Sequence, residues 1–249
     1  MCTVAFLPEA KGGYLLGQNR DENRTRSRGL PPGLVTTRGR LALAPRDPDG
    51  GGSWIGVNEA GVTLCLLNAA ETDPARRLPR PRSRGLVLAE ALHLPSIRAV
   101  SDSLAHIRAL DDVRAFHLVV AEPGTASRPA RVGRFCWNGR RSAWDDHEGP
   151  CLFVSSARNQ EAATRERKAA WQRLLASDAA PDREAVARWL ASHEPERGPL
   201  SVCMHRREAC TVSRTLVRVS GGAAEMAYVD GSPCSETSEF VLNLPLRLG

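Results

Sequence analysis

The chain has 249 residues, of which 42% are hydrophobic and 25% charged, a composition typical of a folded globular protein rather than a disordered, collagenous or coiled-coil chain. This length suffices for one substantial α/β core, and we predict a single domain over residues 1–249. The formal net charge is +6, but basic and acidic residues are interspersed and no aromatic residues alternate with the basic ones, so we expect no nucleic-acid partner.

The sequence also bears on the cellular compartment. It has no basic segment followed by an apolar one at its start, and no apolar run approaches the ~20 residues that a membrane span requires. Seven cysteines at irregular spacing are odd in number and indicate reduced thiols. We therefore expect a cytoplasmic protein without a membrane span. No sequence feature predicts the oligomeric state.

The first third of the chain is predicted to form two β-hairpins. The apolar residues 4–7, the turn "PEAKGG" and the strand "YLLG" lead into a polar cluster at residues 18–23, which brings positions near 2 and 20 together. The strands "SWIGVN" and "GVTLCLLN" are joined by the tight turn "EAG" and form a second hairpin that ends at Asn68.

Helices and strands then alternate in blocks. A short helix is predicted around residues 86–92 and an amphipathic one over residues 95–110, where apolar side chains recur at 3-4-3 spacing. Three strands follow at "FHLVVAE", "RVGRFCW" and "CLFVSS", and helical periodicity resumes around Trp171 and Trp189. The last predicted strands are "LSVCMH", "CTVSRTLVRVS", "EMAYVD" and "EFVLNL". This order is typical of two packed sheets with helices outside them.

The start of the chain carries the most distinctive chemistry. Cys2 directly follows the initiator Met1, and removal of Met1 would leave a thiol and a free α-amine on one residue. An α-amine has a pKa of about 7.7–8.0 against about 8.5 for a thiol, so the amine can accept the thiol proton and later return it to a leaving group. We therefore expect Cys2 to act as nucleophile and base.

Three polar residues are candidates to complete a catalytic site around Cys2. Asp21 is suited to accept hydrogen bonds from the α-amine, and Arg20 to lower the thiol pKa or hold a substrate carboxylate. The side-chain amide of Asn68 is suited to donate to an oxyanion. Each residue also has an ordinary explanation, because Asp21 can close a turn, Arg20 can face solvent and Asn68 can end a strand.

Several motifs resemble a known family. "MCT" at the start, "NRDE" at residues 19–22 and "RDPDGGGSWIGVNEAG" from Arg46 are similar to the NRDE family, also called the transport and Golgi organisation protein 2 family. The resemblance is clear over residues 1–70 and extends to "SVCMHRREACTVSRTLV". That family is in turn similar to N-terminal nucleophile hydrolases of the choloylglycine hydrolase, penicillin acylase and acid ceramidase kind.

This resemblance implies an α+β fold, a four-layer αββα sandwich with two antiparallel sheets between helices. It also implies hydrolysis of a linear amide through an N-terminal cysteine, without a cofactor. The hydrolases carry the motif Gly-Arg-Asn-x-Asp; Gly17, Asn19 and Asp21 match it, while Gln18 stands at the arginine position. Arg20 lies on the same face of an extended strand as Gln18 and is the candidate replacement.

Five residues are candidates to bind substrate. Asn159 and Arg214 are the nearest counterparts of a second asparagine and a distal arginine in the hydrolases, although Asn159 is equally well explained as a helix N-cap. Asn19 and Trp54 lie within the matched motifs. Alternation along "SVCMH" allows His205 to line the same pocket.

Three further patterns are interpreted first as structural. Cys203, His205 and Cys210 suggest zinc, but no Cys-x-x-Cys pair completes a familiar spacing, so we favour core thiols and predict no metal. "GGGSW" from Gly50 lacks the lysine of a phosphate-binding loop and is expected to form a tight bend or to bring backbone close to a ligand. The arginine-rich residues 76–84 are expected to form a solvated loop, with contact to an anionic substrate or partner as the alternative.

These observations favour an amidohydrolase or acyltransferase that acts on a non-peptide or N-acyl amide through an acyl thioester on Cys2. Members of the resembling family have been linked to haem or lipid handling, so the alternative is a non-catalytic carrier with a haem or lipid ligand on the same scaffold. A third reading is a partner protein that keeps Met1 and in which Cys2 has no chemical role.

Overall fold

The computed structural model describes residues 2–71, 76, 78–105, 110–177 and 180–247. The strands within these ranges are β1 (Cys2–Pro8), β2 (Tyr14–Asn23), β3 (Leu30–Thr37), β4 (Arg40–Arg46), β5 (Ile55–Asn58), β6 (Thr63–Asn68), β7 (Phe116–Glu122), β8 (Arg131–Trp137), β9 (Ser142–His147), β10 (Cys151–Ser155), β11 (Ala209–Ser220), β12 (Ala223–Asp230) and β13 (Phe240–Pro245). The helices are α1 (Arg84–Ala91), α2 (Ile97–Ala105), α3 (Gln160–Leu175) and α4 (Arg183–Ala191).

The strands form two antiparallel sheets. The six-stranded sheet has the order β10-β1-β2-β11-β12-β13, and the seven-stranded sheet runs from β3 to β9 in chain order. The first sheet therefore joins segments from both ends of the chain, whereas the second is a meander of neighbouring strands. The first strand, β1, lies in the interior of the six-stranded sheet, between β10 and β2.

Three layers of apolar side chains hold the sandwich together. Phe6 and Ile55 belong to the core between the two sheets. Leu88 of α1 packs with Leu64 on the outer face of the seven-stranded sheet, and Trp171 of α3 belongs to the core on the outer face of the six-stranded sheet. The predicted α+β fold, a four-layer αββα sandwich, is confirmed.

Both predicted N-terminal hairpins are present. Strands β1 and β2 pair so that Cys2 lies opposite Arg20, and β5 pairs with β6 so that Ile55 lies opposite Cys65. The second hairpin ends at Asn68, as predicted. Both pairings are local in sequence, which is why turn residues and alternation indicate them.

Three strands have no counterpart in the sequence prediction. Strand β3 contains two prolines and a glycine and forms one edge of the seven-stranded sheet with Leu34 exposed, while β9 forms the other edge. Strand β4 lies between β3 and β5. Edge strands tolerate proline and need not alternate apolar with polar residues, so pattern reasoning does not find β3 and β9.

The predicted strand at "LSVCMH" is wrong. Residues 200–204 are irregular, and His205 makes an isolated bridge to Cys210. Val202, Cys203 and Met204 are all fully buried in succession, so they do not alternate between two faces. The helix predicted over residues 95–110 begins at Ile97, and residues 106–109 lie outside the described residues. Among the helices in the described ranges, none combines the length and apolar character needed to cross a bilayer.

Candidate active site

The hairpin of β1 and β2 positions Cys2. Its neighbours in register are Arg20 on β2 and Ser155 on β10. Directly opposed residues of an antiparallel pair share a face, so Cys2 and Arg20 both face the second sheet. Cys2 is 6% exposed and belongs to the core between the sheets.

A cavity of about 280 Å³ opens beside Cys2. Five of the predicted site residues line it: Cys2, Arg20, Asp21, Trp54 and Asn68. Its volume is just below the range of about 300–1,000 Å³ that is typical of small-molecule sites. The cavity therefore suits a small ligand and brings together all four predicted catalytic residues.

The groups around the Cys2 thiol shift its pKa in both directions. Burial raises the pKa of Cys2, and the carboxylate of Asp21 raises it further, while a backbone N–H of Asp21 and the charge of Arg20 lower it. The backbone nitrogen of Cys2 donates a hydrogen bond of 3.1 Å to Ser155 Oγ. The nitrogen that would become the α-amine is thus held on one side by β10.

Arg20 is held inside the cavity rather than in solvent. Its guanidinium carbon lies 4.1 Å from the ring centroid of Trp54, a cation–π contact, and Nη2 lies 3.4 Å from Glu22 Oε2. The side chain is 6% exposed. The alternative in which Arg20 faces solvent is therefore wrong.

Asp21 belongs to a buried polar network on the opposite face of β2. Thr211 Oγ1 donates to Asp21 Oδ1 at 2.7 Å, and Arg167 Nη1 lies 3.4 Å from Asp21 Oδ2. The same Arg167 nitrogen donates to Thr3 Oγ1 at 2.6 Å. The carboxylate is therefore fixed by β1, β11 and α3 together, directly behind the start of β1.

Strand β11 is bulged where it passes this network. Thr211 pairs with Asp21, but Ser213 pairs with Arg20, so Val212 is an extra residue between them. Bulges often occur next to functional sites, where they redirect side chains. Here the bulge places Thr211 beside the carboxylate and Ser213 opposite Arg20.

Sequence reasoning missed this supporting network. Ser155, Arg167 and Thr211 lie more than 130 residues from the hairpin they contact, as the register and hydrogen bonds show. One signal was present: Arg167 precedes Trp171 by four residues, so it shares the buried face of α3. A charged residue on such a face predicts a buried partner of opposite charge.

The far wall of the cavity is rich in arginine. Residues 81–85, which lead into α1, line it together with Arg26 and Arg114. Arg26 is paired with Asp47, and Arg82 with Glu90. Burial and the neighbouring charge of Arg114 lower the pKa of Arg84. The arginine-rich stretch is thus no mere solvated loop, because its described end forms part of the cavity; residue 77 lies outside the described residues.

The glycine run at positions 50–52 packs against the segment that forms this wall. A Cβ atom on Gly52 would lie 2.1 Å from the carbonyl carbon of Gly85, and Ser53 N donates to Gly85 O at 3.2 Å. Gly51 adopts a positive φ of 72°, which glycine tolerates best. The expected tight bend is present, and the close approach of backbone is to the start of α1.

Comparison with known proteins now identifies the family. A family model described as transport and Golgi organisation 2 matches residues 1–194. The chain belongs to the transport and Golgi organisation 2 family. No curated protein matches its sequence.

Three solved structures are similar to this family member. The Caenorhabditis elegans ortholog of N-acylethanolamine-hydrolyzing acid amidase superposes with a TM-score of 0.61 at 10% identity, covering 87% of this chain and 92% of that chain. Penicillin V acylase from Agrobacterium tumefaciens gives 0.56 at 11% identity, covering 98% and 86%. The C2A mutant of conjugated bile acid hydrolase from Clostridium perfringens gives 0.53 at 10% identity, covering 97% and 92%. At these identities the likeness establishes the N-terminal nucleophile hydrolase fold.

Gln18, at the motif's arginine position, fills a different place from Arg20. Its Nε2 donates to Leu66 O of β6 at 3.2 Å, and the side chain is 1% exposed. Gln18 does not line the cavity, whereas Arg20 does. In the pairing of β1 with β2, Arg20 lies opposite Cys2 and Gln18 lies opposite Val4. This register agrees with the expectation that Arg20 and Gln18 share a face, and it places Arg20 closer to Cys2.

Four of the five predicted substrate-binding residues do not line the cavity, and three of these four make contacts elsewhere in the fold. Asn19 donates its side-chain amide to Leu190 O at 2.7 Å and Val202 O at 3.1 Å, which ties β2 to the helical side. Arg214 pairs with Glu239 at 2.5 Å. Asn159 accepts from Ala162 N and is the N-cap of α3, the alternative that its sequence context suggested. All three contacts are structural.

His205 belongs to a separate group, which we call the Cys-His cluster: His193, Cys203, His205 and Cys234. One ligand-type atom from each residue lies within 4.8 Å of the others. Cys210, considered with Cys203 and His205 from the sequence, is not a member. His193 and Cys234 were missed because they lie 12 and 29 residues from His205 along the chain.

Proposed function

We propose that this protein is an N-terminal-cysteine amidohydrolase or acyltransferase that acts on a small non-peptide N-acyl amide. One observation carries the proposal: Cys2 lies opposite Arg20 at the wall of a cavity that a fully buried Asp21 also lines. The amidase, acylase and hydrolase in the titles of the similar structures support the same reaction class. The proposal requires removal of Met1.

Formation of the acyl-enzyme needs two proton transfers. The α-amine of Cys2 takes the thiol proton as sulfur attacks the amide carbonyl, and the resulting ammonium gives that proton to the departing amine when the C–N bond breaks. An acyl thioester on Cys2 remains. Water or a second nucleophile then attacks the thioester and gives its proton to the α-amine, the C–S bond breaks to release the acid or a transferred acyl product, and the ammonium passes that proton to the sulfur of Cys2.

The surrounding residues have distinct roles in this proposal. The Asp21 carboxylate, held by Arg167 and Thr211, would orient the ammonium form of the amine. Arg20 would favour the thiolate by its charge. The amide of Asn68, at the end of β6 on the cavity wall, would donate to the oxyanion.

The arginine-rich wall supports an anionic substrate. Arg84 and Arg114 lie close enough for the charge of one to lower the pKa of the other, so an anion between them would relieve their repulsion. Guanidinium groups bind carboxylates and phosphates through paired hydrogen bonds. We therefore propose that the acyl or the amine portion carries a carboxylate or another oxyanion.

The test is the Cys2→Ala variant of the full chain. We expect turnover of anionic N-acyl amides to fall by at least about 1,000-fold, because the nucleophile is lost while the small side chain preserves the fold. Intact mass should show wild-type protein lacking Met1 and gaining the acyl mass during turnover. The matched control is Cys151→Ala, on neighbouring β10 and outside the cavity. Equal rates for wild type and Cys2→Ala would refute the proposal.

The second candidate is a carrier that binds haem or a lipid without turnover. It is supported by the raised pKa of the Cys2 thiol, which disfavours the nucleophilic thiolate, and by arginines suited to ligand carboxylates. Spectral titration with haem and with acyl lipids separates the two functions. Saturable binding that Arg84→Met weakens, with no acyl mass on Cys2, would favour the carrier.

A further inference from the structure

We propose that the Cys-His cluster binds a structural zinc ion through His193 Nε2, Cys203 Sγ, His205 Nε2 and Cys234 Sγ. The site is separate from the cavity at Cys2, since none of the four residues lines that cavity. It also does not depend on the proposed function. Three of its ligands lie beyond residues 1–194, the part matched by the family model.

The interatomic distances agree with tetrahedral zinc. Zinc bonds of about 2.0–2.1 Å to nitrogen and about 2.3 Å to sulfur place tetrahedral ligands about 3.3 Å apart for two nitrogens and about 3.6 Å for nitrogen and sulfur. The two histidine Nε2 atoms are 3.2 Å apart. Cys203 Sγ and Cys234 Sγ lie 3.6 and 3.4 Å from His205 Nε2. The other three pairs among these four atoms also lie within 4.8 Å.

The donor types favour zinc over the alternatives. Two thiolates and two imidazoles form one of the common closed coordination shells of structural zinc, whereas Mg²⁺ and Ca²⁺ prefer oxygen. A disulfide between Cys203 and Cys234 would account for two sulfurs and leave the convergence of two histidines on them unexplained. Four protein ligands leave no open position for substrate, so the role is structural.

The ligands come from three segments that lack regular structure. His193 follows α4, Cys203 and His205 lie in the irregular segment before β11, and Cys234 follows β12. Backbone bonds already order part of this region: Cys203 N donates to Ser192 O at 2.9 Å. A metal that joins these segments would replace the sheet or helix bonding that they lack.

The same region supports Asp21. Met204, between two ligands, donates its backbone N–H to Thr211 Oγ1 at 2.8 Å, and that hydroxyl donates to Asp21 Oδ1. On the other side, Ser232 Oγ donates to Thr211 O at 2.6 Å, two residues before the Cys234 ligand. Zinc would thus fix both segments that hold Thr211 against Asp21.

Metal analysis tests the site directly. Full-length protein produced with added Zn²⁺ and purified under reducing conditions should contain about one zinc per chain by elemental mass spectrometry. After exchange, Co²⁺ should give the intense visible bands of tetrahedral coordination and a near-ultraviolet sulfur-to-cobalt band. Cys203→Ser and Cys234→Ser should lose the zinc and the sulfur band. Cys136→Ser and Cys151→Ser, which alter other partly buried thiols, should retain both.

Two results would overturn the proposal. One is wild-type protein, with all thiols titrating as reduced, that takes up neither Zn²⁺ nor Co²⁺. The other is equal zinc content in the ligand and control variants. If the serine variants fail to fold, the Co²⁺ spectrum of the wild type decides the question alone. Tetrahedral bands with a sulfur-to-cobalt band support the site, and their absence refutes it.

Discussion

At the scale of single residues, the buried pair of Arg167 and Asp21 governs the start of β1. Both side chains are essentially inaccessible, at 1% and 0% exposure. Breaking a buried ion pair by removing one partner is costly because the other charge remains without compensation. We predict that Arg167→Met lowers the free energy of unfolding by about 3–5 kcal/mol, measured by urea denaturation.

Arg165→Met is the matched control for that change. Arg165 lies on the same helix two residues earlier, is 69% exposed and pairs with Glu166. Surface pairs of this kind contribute about 0–1 kcal/mol. Equal losses of the free energy of unfolding in the two variants would show that the buried Asp21 carboxylate does not require the charge of Arg167.

The site residues that lie on one hairpin were predicted from the sequence, whereas the supporting residues contributed by distant segments were not. Cys2, Arg20 and Asp21 belong to one hairpin, and the pairing of its two strands sufficed to predict that they lie close together. Arg167 and Thr211 reach the site only because β11 and α3 pack on that hairpin. The spacing of Arg167 and Trp171 on α3 indicates a buried partner for Arg167, but neither segment identifies that partner.

At the scale of elements, the contact between the glycine run and α1 shapes the cavity wall. A Cβ on Gly52 would meet the backbone of Gly85, and backbone atoms cannot rotate aside as a side chain does. We predict that Gly52→Ala lowers stability by about 1–3 kcal/mol, the typical cost of overpacking, as measured by thermal unfolding. Because residues 81–85 line the cavity, binding of any anionic ligand should weaken as well.

Gly33→Ala provides the comparison. A Cβ on Gly33 has no neighbour within 4 Å, and the residue lies on edge strand β3. We expect its stability to stay within about 0.5 kcal/mol of wild type. A loss as large as that of Gly52→Ala would contradict the assignment to the contact with Gly85, because the effect of this substitution on the unfolded chain is stabilising.

Two hairpins joined by tight turns were also predicted, whereas a segment that depends on distant packing was not. The hairpins β1–β2 and β5–β6 were predicted because tight turns join them. The irregular segment with Cys203 and His205 was mistaken for a strand because its apolar residues are buried on all sides rather than in alternation. The Cys-His cluster was missed with it, since its four residues meet only when α4, β11 and β12 are in place.

At the scale of the whole molecule, the seven-stranded sheet carries two histidines that link stability to pH. Burial and the nearby charge of Arg134 lower the pKa of His117 and of His147 below the ordinary value of about 6.5. The unfolded chain therefore binds more protons than the folded one as pH falls through this value. The stability contributed by these neutral histidines is present above about pH 6.5 and is lost on acidification.

We predict that the urea concentration at the unfolding midpoint of the wild type decreases as the pH is lowered from about 7.5 to about 5.5. In His117→Gln this decrease should be smaller. His117 is the more informative position, because it pairs with both Leu67 and Cys136 in the interior of the sheet. His93→Gln is the control, since His93 lies beyond α1 and bonds the carbonyl of Glu90. An unchanged pH dependence in His117→Gln would mean that carboxylates or loss of a bound metal, rather than this histidine, determine the acid sensitivity of the fold.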